Sequence, residues 1–354
     1  MSHPLSIEHD LHSAMAGGGL GDGAFNALAL RVFKHQFDNN TAYQNHCKAL
    51  GVAPENLTHW HEIPAVTTDA FKFVECPLVT FPIGQTQKTF LTSGTTSELK
   101  GCHHFPSLDL YDRSITASWQ ELALPRPENS IFLTPEPGHA PHSSLSHMMG
   151  VLSDTHSRKS IWAVDASGRL DMESITAAVT GNRPVALLGT ALAYLHLFEQ
   201  LTHPLTLPPG SWAMETGGYK GTMRQLEKGD LYRMFTNKLG LAPDSIINEY
   251  SMTELSSQFY TRGLAHPHTG PSWTRVRVIN PFTETDALAG EPGHLVIYDL
   301  ANLHSVMAIR TQDLASRSGA DLADGRNAFT LLGRDPSALP RGCSRAADHQ
   351  LRPS

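Results

Sequence analysis

Hydroxyls, glycines and one lysine crowd into a single decapeptide, Thr92-Ser93-Gly94-Thr95-Thr96-Ser97-Glu98-Leu99-Lys100-Gly101. Glycine leaves backbone amides bare to an anion, the hydroxyls add neutral donors, and Lys100 adds a charge that reaches phosphate oxygens. The set suits a triphosphate. No Gly-Lys-Ser/Thr closes it, so it is not a Walker loop. The same residues also describe a polar surface turn. Other groups must decide. Asn248-Glu249-Tyr250-Ser251-Met252-Thr253-Glu254 gathers an aromatic ring, hydroxyls and a carboxylate. Such a set could stack a base, touch a phosphate and hold a magnesium ion, or simply end a strand and cap a helix. In Arg310-Thr311-Gln312-Asp313 a strand ends in a carboxylate, a good acceptor for two ribose hydroxyls; an incidental surface pair is the alternative. Gly333-Arg334-Asp335 precedes Cys343, which Arg341 and Arg345 flank. Positive charge nearby favours a nucleophilic thiolate, although many cysteines are idle.

These residues need elements to hold them. The decapeptide follows a strand-like run, Lys88–Leu91, and leads through Cys102–Phe105 to a helical pattern at Leu108, Tyr111, Ile115, Trp119 and Leu122. Phe25, Leu28, Val32, Phe33 and Phe37 mark an earlier helix, after a loose, glycine-rich start over residues 1–24. From 130 to 248, strand-like runs alternate with helical ones. Strand, loop and helix in succession predict an α/β fold with mainly parallel sheets and flanking helices. Ligands in such folds gather at the carboxyl ends of the strands. From about 272 the pattern changes. Arg275–Ile279, His294–Tyr298 and Ser305–Ile309 alternate like antiparallel strands, predicting a small β subdomain over 272–332 and a hinge-like tail over 333–354. The α/β core then spans 25–271.

Composition excludes several classes. The chain has 354 residues and a net charge of −7, which argues against a nucleic-acid footprint or a polybasic membrane patch. The most apolar stretch, Val185 to Leu201, is broken by polar residues, and a membrane span needs about 20 apolar ones. Cys47, Cys76, Cys102 and Cys343 are scattered without metal spacing, so free thiols in a reducing cytoplasm are expected. His139, His142 and His147 match no standard ligand spacing.

Taken in order, these stretches resemble the adenylate-forming superfamily of acyl-CoA synthetases and adenylation domains. Thr92 to Gly101 is similar to its phosphate loop, Tyr250 to Glu254 to its Tyr-Gly-Met-Thr-Glu motif, Thr311-Gln312-Asp313 to its Thr-Gly-Asp, and Gly333-Arg334-Asp335 to its hinge motif. Leu133-Thr134-Pro135, leading to His147, looks like the segment beside its acyl pocket. Within the superfamily the chain resembles acyl-protein synthetases of the LuxE type, grouped with phenylacetate-CoA ligases. That likeness rests on Ile63-Pro64 with Phe71-Lys72, Ser143-Ser144-Leu145 before His147-Met148, Thr216 to Gly221, Met252 to Tyr260, and Arg341 to Ser344. Ser97, Leu99, Ser251 and Gln312 depart from the superfamily's usual glycines and proline. The chain ends about twenty residues after Gly333, where superfamily members continue into a small domain with a catalytic lysine; the acyl-protein synthetases are similarly short.

The resemblance implies ATP-dependent activation of a carboxylic acid, expected to be fatty, as an acyl-adenylate, then transfer to a thiol. It implies ATP and Mg2+ as cofactors. Thr92, Ser93, Gly94, Thr95, Thr96 and Lys100 would meet the β and γ phosphates, with Gly217 and Gly218 beside the nucleotide. Thr253 would meet the α-phosphate, Glu254 would hold the metal, Tyr250 would stack near adenine, Asp313 would bind ribose, and Arg334 ribose or phosphate. Ser144 and His147 would line the acyl pocket. Cys343 would take the acyl group before a protein partner such as an acyl reductase. The alternatives are an aryl- or acyl-CoA ligase, and a catalytically inactive scaffold.

Overall fold

The computed structural model describes residues 4–17, 19–92, 99–165, 167–217, 226–318 and 325–335. In chain order the elements are α1 (Pro4–Ala16), α2 (Asp22–Asn39), α3 (Thr41–Ala49), β1 (Val66–Thr67), β2 (Lys88–Leu91), β3 (Cys102–Phe105), α4 (Asp109–Glu121), β4 (Asn129–Leu133), α5 (Ser144–His156), β5 (Lys159–Trp162), α6 (Met172–Val179), β6 (Val185–Thr190) and α7 (Ala191–Gln200). Then follow β7 (Trp212–Thr216), α8 (Lys228–Leu239), β8 (Ile246–Tyr250), β9 (Phe259–Arg262), β10 (Thr274–Ile279), β11 (Pro292–Asp299), β12 (Ala308–Arg317) and β13 (Phe329–Arg334).

The fold is mixed α/β. A six-stranded sheet runs in the order β5-β4-β6-β7-β8-β9, parallel throughout except for the β8–β9 pair. Its strands are apolar on both faces because both faces are covered. In β6, Val185 and Leu187 pack with α6, α7 and α8, whereas Ala186 and Leu188 pack with α4 and α5. Successive side chains point to opposite faces, so one short run serves two cores.

A second sheet runs β1-β12-β11-β10, with β13 on β12. All its pairs are antiparallel except β1 with β12, where Val66 faces Ile309 and Thr67 faces Arg310. Helix α2 lays Phe25, Ala29, Val32 and Phe33 into the same core as β10 to β12. The parallel β1 contact carries the following 3-10 turn, Thr68–Lys72, to the edge of β12.

Three expectations change. The decapeptide lies between two antiparallel strands, β2 and β3, which pair Leu91 with Cys102, rather than between a strand and a helix; Cys102–Phe105 is itself a strand, and the expected helix, α4, follows it. The N-terminal residues expected to be loose include α1, because Ile7, Leu11 and Met15 recur every four residues and bury one stripe. The third strand of the second sheet lies at 308–317 rather than 305–309. There Asn302 accepts from Ser305 and Asp299 from Asn302 through the backbone, which turns the chain instead.

Candidate active site

The two sheets meet at the carboxyl end of β8. Tyr250 closes that strand and donates its hydroxyl to Asp313 Oδ2 on β12 at 2.9 Å. Its ring is buried edge-on against Phe329 at 5.6 Å and Phe259 at 6.4 Å. The register of β12 on β13 sets Arg334 opposite Asp313. Arg334 donates to Gln312 Oε1, Gln312 Nε2 donates to Asp69 Oδ2 at 2.8 Å, and Asp69 pairs with Lys72 at 3.0 Å. One chain of contacts therefore ties the middle of β12, which continues past Asp313 to Arg317 rather than ending at that carboxylate, and the end of β13 to the turn that follows β1.

Thr253 and Glu254 lie on the irregular segment between β8 and β9, and both are buried. The Thr253 carbonyl accepts from His103 Nδ1 at 2.8 Å, which assigns the proton to that nitrogen. Burial of His103 on β3 lowers its pKa to about 4, so the ring is neutral. Thr253 Oγ1 lies 3.4 Å from Ser144 Oγ at the start of α5. Asn302 donates to the Glu254 carbonyl at 2.7 Å and to the Val306 carbonyl at 3.1 Å. Burial pushes the Glu254 carboxyl up to about 7; Asp313 adds to the rise, and Lys72 and Arg334 oppose it. A buried carboxyl beside a second carboxylate is a place where a cation is welcome. Among the described residues no three His, Cys, Asp or Glu side chains converge on a metal position. The described residues thus offer no cage, but Glu254 fits magnesium, which commonly takes one carboxylate together with substrate phosphates.

At the neck of the phosphate-loop candidate, the Thr92 amide donates to the Gly101 carbonyl at 2.9 Å. The Gly101 amide donates to Thr92 Oγ1 at 2.7 Å. Thr92 is buried, and Lys100 is exposed beside it. A β-carbon on Gly101 would lie 3.0 Å from Thr92 Cγ2, so glycine allows this close return. Ser93, Gly94, Thr95 and Thr96 lie outside the described residues, as do Gly218 and Cys343. Gly217 follows β7 at φ +70, a left-handed conformation that favours glycine. Cys102 is half-buried, and burial raises its thiol pKa, the opposite of activation.

Tyr250, Thr253, Glu254, Asp313 and Arg334 are thus gathered where the sheets meet, with Ser144 against Thr253. His147, one turn along α5, pairs instead with Asp112 Oδ1 of α4 at 2.6 Å and stacks on Tyr111. Lys72, Asp69 and His103 join the site without having been assigned a role from sequence. Phe71-Lys72 stood out only as a motif fragment. Nothing local marks His103, whose partner lies 150 residues away.

No family model matches the sequence, and no curated protein sequence matches it. Solved structures share its fold. An open conformation of 2-hydroxyisobutyryl-CoA ligase in complex with 2-HIB-AMP and CoA superposes with a TM-score of 0.65 at 12% identity, over 89% of this chain and 70% of the ligase. The same ligase in its thioesterification state, with the same two ligands, gives 0.62 at 14% identity, over 88% of this chain and 68% of the ligase. An ATP-bound RpMatB-BxBclM chimera gives 0.50 at 14% identity, over 83% of this chain and 57% of the chimera. The mixed α/β architecture is therefore the fold of the larger part of these solved proteins.

Proposed function

We propose that this protein activates a carboxylic acid with ATP and passes the acyl group to a thiol. The observation that carries the reading is the convergence of Tyr250, Thr253, Glu254, Asp313 and Arg334 from β8, the segment that follows it, β12 and β13, joined through His103 to the strands that carry a hydroxyl-rich loop. In the first step a carboxylate oxygen attacks the α-phosphorus, the bond to the bridging oxygen breaks, and pyrophosphate leaves. In the second a thiolate attacks the acyl carbon, and AMP leaves. Charge grows on phosphate oxygens in the first step, so the protein's work is positioning and charge stabilisation.

In this reading Thr92, Ser93, Gly94, Thr95, Thr96 and Lys100 hold the β and γ phosphates, and Gly217 with Gly218 borders the nucleotide. Thr253 meets the α-phosphate, and Asp313, oriented by the Tyr250 hydroxyl, takes the ribose hydroxyls. Tyr250 supports the adenine, and Arg334 reaches ribose or phosphate. Glu254 would hold Mg2+, which when bound offsets phosphate charge. Ser144 and His147 border the acyl group. The finer form of the reading is a fatty acid passed to Cys343 and on to a protein partner such as an acyl reductase in the cytoplasm. No helix among the described residues is long and apolar enough to cross a membrane. A CoA ligase is the second reading, supported by the CoA held in the solved 2-hydroxyisobutyryl-CoA ligase.

Acid-dependent ATP–pyrophosphate exchange tests the first step. Exchange with one acid class, lost in Glu254→Ala, is the expected result. No exchange with any acid, in folded protein with magnesium, overturns the reading and leaves a scaffold role. Intact mass of wild type against Cys343→Ser, with and without CoA, then separates the two acceptors.

A further inference from the structure

On the face of the parallel sheet covered by α4 and α5, two buried oxygen atoms have no hydrogen-bond partner among the described residues: Glu249 Oε1 and the Tyr260 hydroxyl. Glu249 is 1% exposed and Tyr260 4%. The two residues are direct partners across β8 and β9, so their side chains share one face. Trp212, Met214 and Ile247 share it too, and Trp119 of α4 packs edge-on against Tyr260 at 5.7 Å. The other Glu249 oxygen is already taken, since it accepts from the Thr216 hydroxyl of neighbouring β7. One carboxyl oxygen and one phenol are thus left over on the same face. Buried polar groups are nearly always satisfied, and each exception asks for a partner.

The place itself points to the partner. Glu249 stands at the carboxyl end of β8, where ligands of α/β folds gather. It immediately precedes Tyr250, and the segment beyond carries Thr253, whose hydroxyl meets Ser144 of α5. Helix α5, which covers the face that holds Glu249, thus also carries the serine that meets Thr253. We propose that Glu249 and Tyr260 form the polar floor of the acyl site, and that the acid activated here carries a hydroxyl or amino group that hydrogen-bonds Glu249 Oε1 and the Tyr260 hydroxyl. The inference rests on the adenylation reading and names its substrate class.

The chemistry is consistent with either group. Burial pushes the Glu249 carboxyl up to about 7, Glu215 adds to the rise, and the Ser251 and Thr216 hydroxyls oppose it. A neutral carboxyl with a phenol can both donate to and accept from a hydroxyl. An ammonium would instead draw the proton off and pair with the carboxylate. A purely apolar acyl group would strip water from both atoms and replace no hydrogen bond, which a site of this kind rejects strongly.

The test is pyrophosphate exchange with matched acids: one carbon skeleton unsubstituted, hydroxylated or aminated, at short and long chain lengths. The expected result is that kcat/KM for the hydroxy or the amino series exceeds that of the unsubstituted acid by at least about 100-fold. Glu249→Gln, which keeps the shape, and Tyr260→Phe should each shrink that ratio at least about tenfold, the loss of one buried hydrogen bond. Wild type preferring the unsubstituted acid overturns the inference, and so does a ratio that neither variant moves. Those outcomes leave adenylation standing, whereas absence of exchange with every acid removes both. Should a variant fail to fold, the wild-type acid series decides alone, and a thermal shift by acid plus ATP that follows the same ranking supports it.

Discussion

Glu254 is where burial and charge conflict most sharply. The carboxyl is buried, held up to about 7, and shares its surroundings with Asp313 on one side and with Lys72 and Arg334 on the other. Glu254→Gln keeps the volume and removes the charge. We expect exchange to fall by at least about 100-fold, in the range seen when a group stabilising transition-state charge is lost. Lys72 is the cation that a sequence reading passes over. It pairs with Asp69, and that pair is linked through Gln312 to Arg334. Lys72→Met should lower kcat for exchange by about tenfold or more, with Lys72→Arg recovering part of it. An unchanged kcat in Lys72→Met would confine this lysine to a structural ion pair.

Elements hold these residues through close backbone approaches. A β-carbon on Gly293 of β11 would lie 2.6 Å from the Ile279 carbonyl oxygen of β10. That neighbour is backbone and cannot swing away, so Gly293→Ala must push the two strands apart. A cost of about 1–3 kcal/mol is expected, read as a lower denaturant midpoint. Helix α7 begins with Thr190, whose hydroxyl accepts from the Ala193 amide at 3.0 Å. Thr190→Ala should cost about 0.5–2 kcal/mol, as for other caps. It also tests whether the end of β6, beside Thr216, keeps its place.

For the whole molecule, several buried titratable groups set how stability follows pH. Glu249 and Glu254 titrate near 7 in the folded chain, and Asp299 near 6, each above its ordinary value because of burial. The folded state then binds more protons than the unfolded one, so stability is lost as pH rises from about 4.5 through 7. His103, His268 and His304 are held down to about 4, 3 and 4 by burial. They act oppositely, adding stability as pH rises from those values through about 6.5. The two sets offset each other below about 6.5, and above it only the carboxyls still titrate. Thermal unfolding of the free protein should therefore decline from pH 6.5 to 8. The decline should be shallower in Glu249→Gln, by an amount on the order of 1 kcal/mol. Parallel curves for the two proteins would show that Glu249 is ionised in the folded state across this range.

Sequence alone determined the chemistry-bearing stretches and the alternation of strand and helix from 129 to 250, because both are local properties. Hydroxyls, glycines and a lysine within ten residues are visible without a fold. So is a run such as Val185–Thr190, whose every residue is buried. Periodicity within one turn or one pleat decides such elements. It also marks α1 through the Ile7, Leu11 and Met15 stripe, although the glycines at 17–23 that follow suggest a loose start. Tertiary structure decided what those stretches meet. His103 reaches Thr253 across 150 positions and Gln312 reaches Asp69 across 243, contacts that exist only because β1 pairs with β12 and the β2–β3 strands lie beside the β8–β9 segment. No spacing rule encodes a partner at that distance. The unmatched oxygens of Glu249 and Tyr260 are of the same kind: a hydrogen bond that is missing can be recognised only once every neighbour is in place.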